Sequence, residues 1–116
     1  MQVLSEAGLF TTPGPDRDVH WAGHLRVSDL SVGTYSIAAG ARDDQEPHTE
    51  DEVYVVTAGH ARLEAGGPGE QTAPVGPGSV IYVPAGEPHS FVDITHDMTV
   101  IVLFAPAEYS RRDAGQ

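Results

Sequence analysis

Glycine and proline interrupt this chain so often that it has no room for a long helix. Thirteen glycines and nine prolines are spread over 116 residues. They recur at the eight- to twelve-residue spacing that turns keep in a β-sandwich or barrel. The stretches between them are short and rich in β-branched and aromatic residues, which favour a pleated, half-buried surface. Strands are expected near 25–29, 31–39, 52–58, 60–65, 70–75, 79–83, 89–94 and 97–104. Residues 66–69 and 76–78 read as turns between them. In the last strand Met98, Val100, Val102 and Phe104 alternate with Thr99, Ile101 and Leu103. Both faces are apolar, so the pattern predicts a strand covered on both sides.

About eight short antiparallel strands in one small chain suit a jelly roll. The expected fold class is therefore all-β, a single-domain jelly-roll barrel over residues 25–109. Residues 1–24 hold Thr12-Pro13-Gly14-Pro15 and several acids, and are expected to form an irregular arm with a short helical turn over 5–10. Residues 110–116 are expected to fray. At this length the chain makes one domain with a modest core.

Charge narrows the partners. Seventeen acids face six arginines with no lysine, for a net charge of −11. Such a surface repels nucleic acid and anionic membranes, so neither is an expected partner. Cysteine is absent, which removes disulfides, thiolate ligands, iron–sulfur clusters and a cysteine nucleophile. A metal would have to be held by histidine, carboxylate, carbonyl or water. The first residues, Met1-Gln2-Val3-Leu4-Ser5-Glu6, lack the basic start and apolar run of a signal peptide. No segment approaches the length of a membrane-spanning helix. The expected location is cytoplasmic.

Two segments carry the chemistry. In the first, Gly40 is followed by Glu46-x-His48, Glu52 and, six residues further on, Gly59. In the second, Gly78 is followed by Pro84, Gly86, His89 and Asp93. Taken together, these resemble the paired motifs of the cupin family. That pattern has a histidine where this chain has Glu46, and an asparagine where it has Asp93. The resemblance covers residues 40–93 closely. It implies a divalent metal, Mn, Fe, Ni or Zn, held by His48, Glu52 and His89, with Glu46 as fourth ligand. Gln45 and Glu50 are rival donors from the same loop.

Strand geometry is consistent with that set. Alternate residues share a face, so Glu52, Tyr54 and Val56 point one way, as do His89, Phe91 and Asp93 on another strand. A barrel brings such faces together. A carboxylate buried among apolar groups is costly unless it is paired or metal-bound. With Glu46 included, two histidines and two carboxylates would neutralise a divalent ion, which favours hard ions. Asp43, Asp44 and Asp51 read as solvated, and His60 as exposed after its turn. His20, His24 and His96 have no supporting spacing, though His96 can lie near a barrel mouth. Tyr35, Tyr54, Tyr82, Phe91 and Phe104 are expected core residues.

The resemblance implies a metal-dependent enzyme acting on a small organic molecule. A dioxygenase is favoured, with isomerase, cyclase or lyase chemistry as alternatives. Glu46 or Glu50, if not bound to metal, is the expected general base. The contrasting expectation is a non-catalytic module that binds or senses a small molecule, with a structural metal or none. A homodimer is expected, through the strand at 97–104 or the arm around Trp21.

Overall fold

The computed structural model describes residues 1–43, 46–67 and 70–111. Eight strands follow one another: β1 (Val19–Val27), β2 (Leu30–Ile37), β3 (Asp51–Ala58), β4 (Ala61–Ala65), β5 (Gln71–Val75), β6 (Val80–Val83), β7 (His89–Val92) and β8 (Met98–Ala105). They form a five-stranded sheet in the order β1-β2-β8-β3-β6 and a three-stranded sheet in the order β5-β4-β7. Every pairing is antiparallel. This is a jelly roll, and its core fills the space between the two sheets.

Alternation puts the core where it is. Along β3, Glu52, Tyr54 and Val56 are buried while Asp51, Val53 and Val55 are only partly so. Met98, Val100, Val102 and Phe104 of β8 lie at 2% exposure or less. From the smaller sheet Leu63, Val75 and Phe91 close over them. Pro74 has no amide proton to donate. It sits on β5, an edge strand, where that loss costs no ladder bond.

Several expectations need correcting. The arm ends earlier than residue 24, because β1 begins at Val19. Its register shifts between Gly23 and Leu25, a bulge that hides the alternation of His20, Trp21 and Ala22. Residues 5–8 make a turn, not a helix. This turn lies across the outer face of the large sheet: the Gly8 amide donates to Thr34 Oγ1, and Thr57 Oγ1 donates to the Gly8 carbonyl. That contact explains the second apolar face of β8, since Ile101 packs at Gly8. Strand β8 is central rather than at an edge, so it cannot pair with a second copy's strand. Tyr82 is 62% exposed instead of in the core. It shares the outward face of edge strand β6 with Val80.

Asp93 also departs from the expected face. It is exposed, β7 has ended at Val92, and its φ is +51°. Asp and Asn are the side chains that best tolerate this left-handed region. The residue serves the backbone there. The tail beyond Ser110 is tethered at its start, because Arg111 N donates to Glu50 Oε2. Residues 112–116 lie outside the described part. Among the described residues no helix is long and apolar enough to cross a membrane.

Gly59 gives this fold a direct test. Its φ is +88°, and a Cβ there would stand 2.6 Å from the Asp97 carbonyl oxygen and the Met98 Cα. Both obstacles are backbone. Gly59→Ala should therefore cost about 2 kcal/mol or more. The expected readout is a lower urea midpoint at unchanged slope. A wild-type midpoint would show that the β3–β4 turn does not require the left-handed conformation.

Candidate metal centre

The two sequence motifs meet through the backbone before their side chains do. His48 lies in the extended entry to β3, after Pro47. Its carbonyl accepts a 2.7 Å hydrogen bond from the amide of Gly86, in the turn before β7. Gly86 has φ +80°, which turns that amide back toward the first motif. Asp51 Oδ1 accepts from the Ala85 amide in the same turn. Asp51, read as solvated, thus helps to bind one motif to the other.

Three side chains then converge. His48, Glu52 and His89 are all buried, and one ligand atom from each lies within 4.8 Å of the others. Glu52 Oε1 is 2.9 Å from His89 Nε2 and 3.6 Å from His48 Nδ1. Yet neither Glu52 oxygen, nor His48 Nδ1, has an aligned hydrogen bond. Buried polar atoms are rarely left this way. Three such atoms facing one point, beside a second imidazole nitrogen, suit a divalent cation with N and O ligands.

The histidines are oriented from behind. His89 Nδ1 donates to the Glu87 carbonyl at 2.9 Å, which turns Nε2 toward Glu52. Tyr54 OH lies 2.7 Å from that Nε2. Burial alone would lower the basicity of the His89 ring. Glu52, the Glu87 carbonyl and Asp43 outweigh it and hold the pKa above the usual histidine value. His48 Nε2 donates to Glu108 Oε2 at 3.0 Å, which leaves Nδ1 for the centre. Its ring is stacked on Tyr109 at 5.0 Å and lies 4.5 Å from Phe104. Carboxylate and carbonyl partners of this kind set the tautomer of metal-binding histidines.

The other expected site residues are elsewhere. Glu46 is exposed on the wall of a pocket of about 180 Å³ next to His48, outside the triad. No strand includes residues 46–48, so alternation does not place Glu46 with His48. Glu50 is 1% exposed and accepts from Thr49 Oγ1 and from the amides of Tyr109 and Arg111. Burial pushes its carboxyl up, but these bonds and nearby His48 bring it below the ordinary range. Gln45 and Asp44 lie outside the described residues. His60 is exposed, with its ring 5.6 Å from that of His96.

Sequence reasoning missed Asp43, Glu108 and the role of Tyr54. Asp43 is 7% exposed and accepts from Tyr35 OH and from the Phe91 amide. It thereby joins β2 to β7. Glu108 follows the last strand at no motif position, and nothing in the sequence marks it. Tyr54 was legible as core, but only the fold shows its hydroxyl at His89.

Known proteins agree with this architecture. The family model described as a cupin domain matches residues 33–106. An uncharacterized protein of Streptomyces coelicolor is 46% identical over 84 residues, 72% of this chain and 77% of that protein. The structure is similar to that of KdgF from a Halomonas species, with TM-score 0.69 and 22% identity over 81% of this chain and 84% of that one. It is also similar to a cupin superfamily protein of Desulfitobacterium hafniense, with TM-score 0.67 and 17% identity over 81% and 83% of the two chains.

Two measurements follow. Glu108→Ala should weaken metal affinity about tenfold or more, read by competition with a chromophoric chelator. Unchanged affinity would mean that Glu108 does not orient His48. Glu50 has a lowered pKa in the folded state, so its stabilisation is present above the unfolded carboxyl pKa. It is lost as pH falls through the lower, folded value. Glu50→Gln should therefore be less stable than wild type at neutral pH, by about 2 kcal/mol. That gap should close on acidification below the usual carboxylate range. A gap constant with pH would show that the carboxylate charge is not what holds the C-terminal segment.

Proposed function

This chain belongs to the cupin family, and on that premise we propose that it is a metal-dependent enzyme acting on a small organic molecule, with O₂ as the favoured co-reactant. The donor set carries this reading. His48, Glu52 and His89 make two imidazoles and one carboxylate. A divalent ion held by that set keeps open positions for substrate and for O₂, as in non-haem Fe(II) oxygenases. With Glu46 on the pocket wall, the alternative of two carboxylate ligands loses support.

The chain's own groups would do the rest. The pocket beside His48, with its aromatic lining, would receive the organic molecule. Glu108 and Glu87 hold the two imidazoles in their ligating tautomers. Its position bordering the pocket supports Glu46 as the carboxylate that would accept a proton from a molecule in it. Glu50 is engaged by backbone donors and is poorly placed to act as that base. The same fact favours the second reading, a binding or sensing module, since it removes one candidate base. Pairing of two copies belongs to the proposal as well. It is supported by edge strand β6, where Val80 and Tyr82 are 68% and 62% exposed.

Elemental analysis of untagged protein, with His89→Ala beside it, tests the centre. The expected result is equimolar metal in wild type, lost in the variant. Fe(II)-loaded protein treated anaerobically with nitric oxide should then give the EPR spectrum of a high-spin iron nitrosyl. Metal binding without that spectrum would indicate a closed coordination sphere and support the module. No metal uptake in either protein would overturn the metalloenzyme.

A further inference from the structure

The pocket next to His48 has an unusual lining for so small a space. Four aromatic rings border it: Trp21, Tyr35, Phe104 and Tyr109. Two carboxylates, Glu46 and Glu108, and the His48 ring make up the polar part, and among the described residues no arginine lines it. Trp21 is the only tryptophan in the chain and is 42% exposed. Burial in the core therefore does not explain its position.

Its ring is nonetheless held in place. A Cβ on Gly33 would stand 2.3 Å from two Trp21 ring atoms, so the indole rests against bare backbone of β2. From there it meets Tyr35 at 6.4 Å and 59°, and Phe104 at 6.3 Å and 62°. The indole thus stands at a steep angle to each of the other two rings. Glu108 is fixed from outside: its amide donates to Ser31 Oγ, and Arg26 Nη1 donates to its carbonyl.

We propose that this pocket binds a small organic cation, an ammonium nitrogen carrying apolar substituents. Aromatic faces attract cations through the ring quadrupole, and clustered rings are how proteins hold alkylated ammonium groups. Two carboxylates on the wall, one of them accepting from His48 Nε2, add a negative field, which the chain's net charge of −11 reinforces. An anion would face both carboxylates at the pocket wall. A neutral molecule would gain from the rings but not from the acids. The inference deepens the reading above and rests on it in one respect: the pocket is taken as the place where the reactant lies.

The test uses choline as probe, with its neutral isostere in which a tert-butyl group replaces trimethylammonium, and with ethanolamine as a primary ammonium. Calorimetry on wild type should show saturable choline binding at least about tenfold tighter than the isostere, and weaker at high salt. Trp21→Leu and Glu46→Gln should each reduce that preference several-fold. Both residues are exposed, and thermal unfolding would confirm that the variants fold. Binding of ethanolamine as well as choline would identify any ammonium as the ligand class, and choline alone an alkylated one. Equal affinity for choline and its isostere, or no saturable binding, overturns the inference. Metal content measured on the same samples separates the two readings. Metal uptake without cation preference overturns only this inference, and cation preference without metal uptake overturns only the metalloenzyme.

Discussion

A carboxylate sealed between two sheets is the constraint around which the rest of this structure is arranged. Glu52 is 1% exposed, and neither of its oxygens has an aligned hydrogen bond. Burying an ion this way costs on the order of several kcal/mol unless charge or hydrogen bonds compensate. His89 and His48 stand on either side of it, each brought by a different part of the chain. The carboxylate can be kept only if both histidines are held firmly. Much of the surrounding architecture does that.

The holding is done largely by other acidic side chains. Asp43 ties β2 to the edge strand β7 at Phe91, two residues after His89. Glu108 fixes the His48 ring, and Glu50 secures the segment that carries Glu108 and Tyr109. Asp51 joins the His48 segment to the turn that precedes His89. Each takes donors that would otherwise go unpaired, as charge-assisted bonds that outweigh neutral ones. An acid-rich loop in a chain of net charge −11 thus works as a set of tethers as well as a solvated surface.

Strand count and strand order along the chain were legible because they follow from short-range rules, and the triad because its motifs resemble those of the cupin family. The β3 face of Glu52, Tyr54 and Val56 needs only the two-residue period, and the observed burial follows it. Gly59 was legible as a turn because a positive φ favours glycine. The same logic failed where the rule is interrupted. The bulge near Gly23 concealed the start of β1. Asp93 left the expected face because its backbone turns left-handed. Tyr82 falls on an outward face, and pattern alone does not say which side of an edge strand is covered.

The sequence by itself determined the class of fold, and its resemblance to the cupin motifs singled out His48, Glu52 and His89. Turn chemistry, strand period and motif spacing are local properties, and local properties can be read one residue at a time. Tertiary structure alone decided that Asp43 and Glu50 are buried. Nothing in the sequence sets Asp43 apart from the other acids of its loop, and only the arrival of Tyr35 OH and the Phe91 amide makes it a tether. It also decided that Glu46 faces a pocket instead of the triad, and that Glu108, sixty residues from His48 in sequence, reaches its ring. These outcomes depend on distances between segments far apart in the chain. Such distances exist only once the two sheets have closed on each other.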